Sequence, residues 1–216
     1  MKADLKKQLY LSYGFLITFL LWTVLICFAD VKPIGPEQSE VGLAGLNGAF
    51  HKMTGEHMWM YELTDFLSII PLALIAFFGL IGLAQWIKRK ALIRVDYDIL
   101  VLGGFYAVVM AVFLLFEKVV INYRPILIEG VLEASYPSST TMLCMCVLPT
   151  AIMQFQHRIQ DDTIRKYVRI GGSIFTALMV LFRLISGVHW LTDIIGGALF
   201  SAGMVLLYDT VCKMKK

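Results

Sequence analysis

The chain has 216 residues, 58% of them hydrophobic and 16% charged, with a mean hydropathy of +0.74 and a formal net charge of +3. Soluble domains carry about 25% charged residues. The composition therefore excludes a soluble globular domain, a disordered chain and a nucleic-acid binder, and it predicts an all-α integral membrane protein.

A membrane-crossing helix needs about 20 mostly apolar residues. Six segments meet or approach this, at about 9–29, 67–87, 99–116, 141–156, 168–185 and 194–212. The first apolar run exceeds the roughly 7–15 residues of a signal-peptide core, so it reads as a span and not as a cleaved leader. The fourth segment is short, but Met142 to Met153 is almost wholly apolar and can extend by a turn at either end. Runs such as Phe15 to Phe28 lack the alternation of a lipid-facing barrel strand.

The cations divide unevenly between the connecting segments. Lys2, Lys6, Lys7, Lys88, Arg89, Lys90, Arg94, Arg158, Arg165, Lys166, Arg169, Lys213, Lys215 and Lys216 fall on one side. Lys32, Lys52, Lys118, Arg124 and Arg183 fall on the other. The positive-inside rule then predicts a six-helix bundle with both termini cytoplasmic, and the short loops point to an inner or plasma membrane protein. No repeat or second domain interrupts it, so residues 1–216 are expected to form one membrane-embedded domain. Cys27, Cys144, Cys146 and Cys212 lie within or at the ends of apolar segments and read as small packing residues.

Three of the outer-side cations break the charge pattern. Lys118 and Arg124 follow the third segment, and Arg183 sits near the end of the fifth. Charge at a membrane-helix end is costly and marks function unless the side chain snorkels. Beside them lies a hydroxyl cluster, Ser135-Tyr136-Pro137-Ser138-Ser139-Thr140-Thr141, opening the fourth segment. Pro137 suits a first helical turn. The free N–H groups of a helix start, with Ser138 and Ser139, could cap the helix or cradle a phosphate. His189 and Asp193 are four apart, so on a helix they share a face. A carboxylate there can hold one ring nitrogen and leave the other free to attack, or the pair can be a structural hydrogen bond.

Together these residues resemble the type 2 phosphatidic acid phosphatase family of integral membrane phosphatases. Its pattern has three blocks. The first is Lys, six residues, then Arg-Pro; the second is Pro-Ser-Gly-His; the third is Ser-Arg, five residues, His, three residues, Asp. Arg183, His189 and Asp193 keep the third block's spacing, with Phe182 for the Ser. Lys118, Arg124 and Pro125 form the first block with five intervening residues instead of six. Pro137 and Ser138 open the second, followed by Ser139 for Gly and Thr140 for His. The resemblance covers roughly residues 67–212.

The resemblance implies metal-independent hydrolysis of a lipid phosphate or polyprenyl diphosphate at the outer membrane face. His189 would attack phosphorus and form a phosphohistidine, with Asp193 orienting it. Lys118, Arg124, Arg183, Ser138, Ser139 and Thr140 would line the phosphate site. No cofactor is implied, and no outer-side cluster has metal-ligand spacing. The missing imidazole at Thr140 removes the family's proton donor, a loss of about 10²–10⁴-fold. A diphosphate leaving group could lessen that need, or His51, His57, Glu129 or Glu133 could replace the donor. Otherwise the protein would be a weak enzyme or a phospholipid-binding or transport protein. A lipid phosphoryl transferase is a further alternative. The shortened first block would turn Lys118 by about 100° on a regular helix, unless the helix breaks before Pro125. The segment 30–66, rich in Gly and ending in Met58-Trp59-Met60-Tyr61, suits an interfacial element that covers the site or a packing loop.

Overall fold

The computed structural model describes residues 2–215. Its regular structure is helical: α1 (Lys2–Phe28), α2 (Ala44–Thr54), α3 (Met58–Leu67), α4 (Ile69–Arg89), α5 (Tyr97–Lys118), α6 (Ser139–Arg158), α7 (Asp162–Ile185) and α8 (Leu191–Met214). Among the described residues, pairing of extended backbone is confined to isolated bridges, of which Tyr123–Ala134 matters most for the site.

Each of the six apolar segments falls on a helix. Five helices are long and apolar enough to cross a membrane: α1, α3 with α4 as Met58–Arg89, α5, α7 and α8. Large apolar side chains such as Leu20, Leu80, Leu114 and Leu178 are exposed along them, as lipid-facing residues are. The chain is a multi-pass membrane protein.

The fourth segment differs from the other five. Helix α6 has 20 residues, enough in length, but it is not apolar enough to qualify by composition. The reason is its place in the fold. It packs against α4, α5, α7 and α8, so its faces meet protein more than lipid. Polar side chains are tolerated there because they find partners. Thr150 donates to the Cys146 carbonyl at 2.7 Å, and Gln154 bonds the Tyr208 hydroxyl.

Helix α8 packs chiefly on α1 and α6. Polar contacts register these helices at both ends. At one end Gln8 donates to Asp209 at 2.6 Å, and Arg158 pairs with Asp98 at 3.0 Å. At the other, Trp22 Nε1 donates to the Thr192 carbonyl at 3.1 Å. Tyr136 anchors this second end. Its ring stacks on Phe19 at 6.3 Å and meets Phe116 edge-on at 5.6 Å, while its hydroxyl bonds Thr23 at 2.7 Å. Gly196 makes room for it, since a Cβ there would lie 2.4 Å from the Tyr136 ring. The start of α6 is thereby fixed against the start of α8.

Candidate active site

Two structured loops and two helix ends build the site. After α5 the chain leaves the helix at Val119 and returns as a narrow hairpin. Arg124 N donates to the Glu133 carbonyl at 3.0 Å, and Ser135 N donates to the Asn122 carbonyl at 2.9 Å. This pairing brings Asn122, Arg124 and Ser135 together beneath the loop 186–190. That loop ends α7 and begins α8, and it carries His189.

The His189–Asp193 pair has the predicted proximity but not a direct hydrogen bond. Nδ1 lies 3.8 Å from Asp193 Oδ2, and the two side chains are 1% and 0% exposed. The Ser135 hydroxyl fills the gap. It donates to Asp193 Oδ2 at 2.5 Å and stands 3.0 Å from His189 Nδ1. A hydroxyl that donates to the carboxylate can only accept from Nδ1–H, so the proton sits on Nδ1. Nε2 then carries the lone pair, and it is buried with no hydrogen-bond partner among the described residues. Asp193 is itself held by Asn122 Nδ2 at 3.2 Å and by the Trp190 N–H at 2.9 Å.

Burial, and then the charges of Arg124 and Arg183, hold the His189 imidazole well below its ordinary value of 6.5. The ring is therefore neutral at pH 7. A neutral imidazole with a fixed tautomer and a free Nε2 is a competent nucleophile.

The two arginines converge on one aromatic platform. The Arg183 guanidinium lies 4.6 Å from the centre of the Tyr61 ring and that of Arg124 lies 5.8 Å from it. Arg183 also donates to Thr64 Oγ1 at 3.0 Å. Arg124 reaches the Val188 carbonyl at 3.5 Å and pairs through Nε with Glu133 at 2.9 Å. Both arginines are buried, so their charges act through a poorly screened environment. The α3 residues Tyr61 and Thr64 belong to the segment 30–66 and its continuation, which packs over the site. His57 N donates to the Ser186 carbonyl at 2.9 Å, and Asn47 Nδ2 donates to Thr192 Oγ1 at 3.0 Å.

The start of α6 completes the arrangement. Pro137 lies before the helix and not in its first turn, joined to Tyr136 by a cis peptide bond. Ser138 is the buried N-cap: its Oγ accepts from Thr141 N at 3.4 Å, and its N–H donates to the Asp193 carbonyl at 3.1 Å. Ser139 and Thr140 present first-turn N–H groups that lack intrahelical acceptors, as at any helix start. Thr140 is buried, and its hydroxyl has no hydrogen-bond partner among the described residues.

Arg124, Arg183, His189 and Asp193 are thus brought together, with Ser138 and Ser139 at the edge. Lys118 is not. It ends α5 fully in the helix, exposed, with no ion pair among the described residues. The helix does not break early, so the rotation expected from the shortened block is not absorbed. The position with six residues between it and Arg124, where the pattern has its lysine, is Glu117. Glu117, itself exposed, and His189 line a narrow cleft with Phe113, Phe116, Ser135 and Ser139; neither Arg124 nor Arg183 lines it.

The other proton-donor candidates are engaged elsewhere. His51 Nε2 lies 3.1 Å from the Gly187 carbonyl, His57 Nε2 lies 2.9 Å from that of Thr54, and Glu133 holds Arg124. Glu129 is exposed in the hairpin turn. Asn122, Tyr61 and the bridging role of Ser135 were not foreseen. Ser135 lies in the hydroxyl cluster, but no spacing rule links it to a histidine 54 residues away.

Comparison with known proteins agrees with the three blocks. Residues 118–214 match the model of the PAP2 superfamily. Phosphatidylglycerophosphatase B of Bacillus subtilis is 31% identical over 93 residues, which cover 43% of this chain and 44% of that protein. The aligned stretch spans less than half of that relative. The crystal structure of a transmembrane PAP2-type phosphatidylglycerolphosphate phosphatase from Bacillus subtilis superposes with a TM-score of 0.67, covering 95% of this chain and 97% of that one. At 18% identity that match speaks for a shared fold.

Proposed function

We propose, from a chain whose residues 118–214 match the model of the PAP2 superfamily, that this protein is a lipid phosphate phosphatase working through a phosphohistidine on His189. The observation that carries this reading is the buried, neutral imidazole. Its Nδ1 is held by Ser135, its Nε2 is unpartnered, and Arg124 and Arg183 stand close enough to depress its basicity.

Nε2 attacks phosphorus in line with the leaving oxygen. Arg124, Arg183 and the N–H groups of Ser139 and Thr140 receive the phosphoryl oxygens, as phosphoryl transfer depends mainly on positioning and charge stabilisation. Asp193 stabilises the imidazolium through the Ser135 hydroxyl. Water then attacks the phosphohistidine and releases phosphate. Ser138 acts through the cap of α6, and Lys118 stands aside from this step. The residues present need no metal for it.

The membrane arrangement proposed is six spans, with α6 crossing inside the bundle. The cation distribution supports cytoplasmic termini and a site at the outer face. The name of the B. subtilis relative puts phosphatidylglycerophosphate among the substrates to try, beside phosphatidic acid and polyprenyl diphosphates.

Purified protein in detergent with chelator is expected to release phosphate from one of these lipids, and His189→Ala to abolish the release. Unchanged release by that variant would remove the nucleophile assignment. Thr140 favours a second reading, a site that binds phospholipid headgroups with little or no turnover. Lipid binding without phosphate release, in both the wild type and Thr140→His, would support it. Transfer of phosphate to an added lipid acceptor would instead identify a phosphoryl transferase.

A further inference from the structure

Far from His189, where α6 ends and α7 begins, four cations are used unequally. Arg158 pairs with Asp98 at 3.0 Å, and Arg165 pairs with Asp162. Lys166 and Arg169 are exposed and have no ion pair or hydrogen bond among the described residues. Three apart on α7, they share a face. Tyr167 beside them is 70% exposed, as an aromatic side chain at headgroup level is. Arg169 also lines one end of an apolar groove of about 710 Å³ between α6 and α7, and Leu184 lines the other. Ligand cavities commonly hold about 300–1,000 Å³. Met145 and Pro149 form part of its α6 wall, and Pro149 has no N–H to donate to the Met145 carbonyl.

We propose that this groove binds one anionic phospholipid of the leaflet opposite the active site. Arg169 and Lys166 receive its phosphate, and one acyl chain fills the groove. Basic pockets between membrane helices suit anionic headgroups. Such a site needs no turnover at His189, so it stands or falls apart from the phosphatase reading.

The spacing along α7 matches such a lipid from headgroup to chain end. Ser173 lines the groove one turn beyond Arg169, about 6 Å deeper along the helix. Its hydroxyl makes no hydrogen bond among the described residues, whereas Thr176 donates to the Gly172 carbonyl at 2.8 Å. A hydroxyl at the edge of the hydrocarbon gains from an acceptor, and the ester carbonyl of a phospholipid lies at that depth below its phosphate. From Ser173 to Leu184 the groove continues for about 16 Å along α7. One leaflet contributes about 15 Å of the hydrocarbon core. The charge complementarity selects an anionic lipid over a zwitterionic one, because the two cations have no carboxylate of this chain to balance them.

The test is thermal melting of the full chain in detergent with added phosphatidylglycerol or phosphatidylcholine of the same acyl chains. Phosphatidylglycerol is expected to raise the Tm saturably, as a ligand of the folded state does, and phosphatidylcholine to give no saturable rise. Lys166→Gln and Arg169→Gln are each expected to raise the half-saturating concentration by roughly 5-fold, and both together by about 30-fold. Lys166→Arg with Arg169→Lys keeps both charges and is expected to stay near wild type. Ala177→Trp fills the groove away from the cations and from His189, and is expected to abolish the rise. Equal rises with the two lipids, no rise in the wild type, or an unmoved half-saturation in the double Gln variant would overturn the proposal. So would a rise retained in Ala177→Trp, which decides alone if the double Gln variant does not fold. A wild-type dimer that Ala177→Trp dissociates would assign the groove to a second copy of this chain and likewise overturn it.

Discussion

His189 Nδ1 lies 3.8 Å from Asp193 Oδ2, too far for a hydrogen bond, and the Ser135 hydroxyl carries the interaction between them. The carboxylate therefore sets the tautomer of the imidazole at one remove. Asp193 also receives the Trp190 N–H and the Asn122 amide, so its orientation is fixed from three sides.

Replacing Ser135 by Ala deletes the bridge and leaves the Nδ1–H of a buried ring without an acceptor. An unsatisfied buried polar group costs about 1–3 kcal/mol, which corresponds to a loss of roughly 5- to 150-fold if borne by the transition state. The loss is expected in kcat with KM little changed, because Ser135 orients the nucleophile. Steady-state kinetics on the lipid phosphate will show whether kcat or KM moves.

The pH profile follows from the depressed basicity of His189. Nucleophilic attack needs the neutral ring, so activity is present above its pKa and is lost as pH falls through it. Because burial and the two arginines lower that pKa, the acid limb of kcat/KM is expected below the 6.5 of an ordinary imidazole. Arg183→Ala removes one of the opposing charges. Its residual activity should show an acid limb moved to higher pH, and an unmoved limb would mean another group titrates.

Tyr61 supports both guanidinium groups from α3. A cation–π contact is worth about 0.5–2 kcal/mol. Tyr61→Ala is expected to raise KM by roughly 2- to 30-fold, whereas Tyr61→Phe, which keeps the ring, stays near wild type. Isothermal titration with inorganic phosphate should give the same ranking without turnover.

Gly187 holds the His189 loop against the α2–α3 connection. Its φ is +76°, and a Cβ there would lie 2.3 Å from the Gly55 carbonyl oxygen. Left-handed backbone costs a non-glycine residue about 1–3 kcal/mol, and the collision adds to it. Gly187→Ala is expected to lower the Tm in detergent by several degrees and to reduce activity, while Gly14→Ala, with open space around its Cβ, changes neither.

The apolar segments, their helical character and the motif blocks were legible in the sequence because each depends on local order along the chain. Hydropathy over about 20 residues records where helices can meet lipid, and the spacing of Arg183, His189 and Asp193 is local to one loop and helix start. Helix α6 shows the limit of that reading. Its polar residues are accommodated by neighbouring helices, so composition alone understates it as a membrane element. Tertiary structure decided the rest. Ser135 meets His189 across 54 residues, Tyr61 meets Arg183 across 122, and Glu117 rather than Lys118 lines the cleft. Such contacts depend on how separate helices register against one another, and the side chains that meet there leave no periodic trace in the chain.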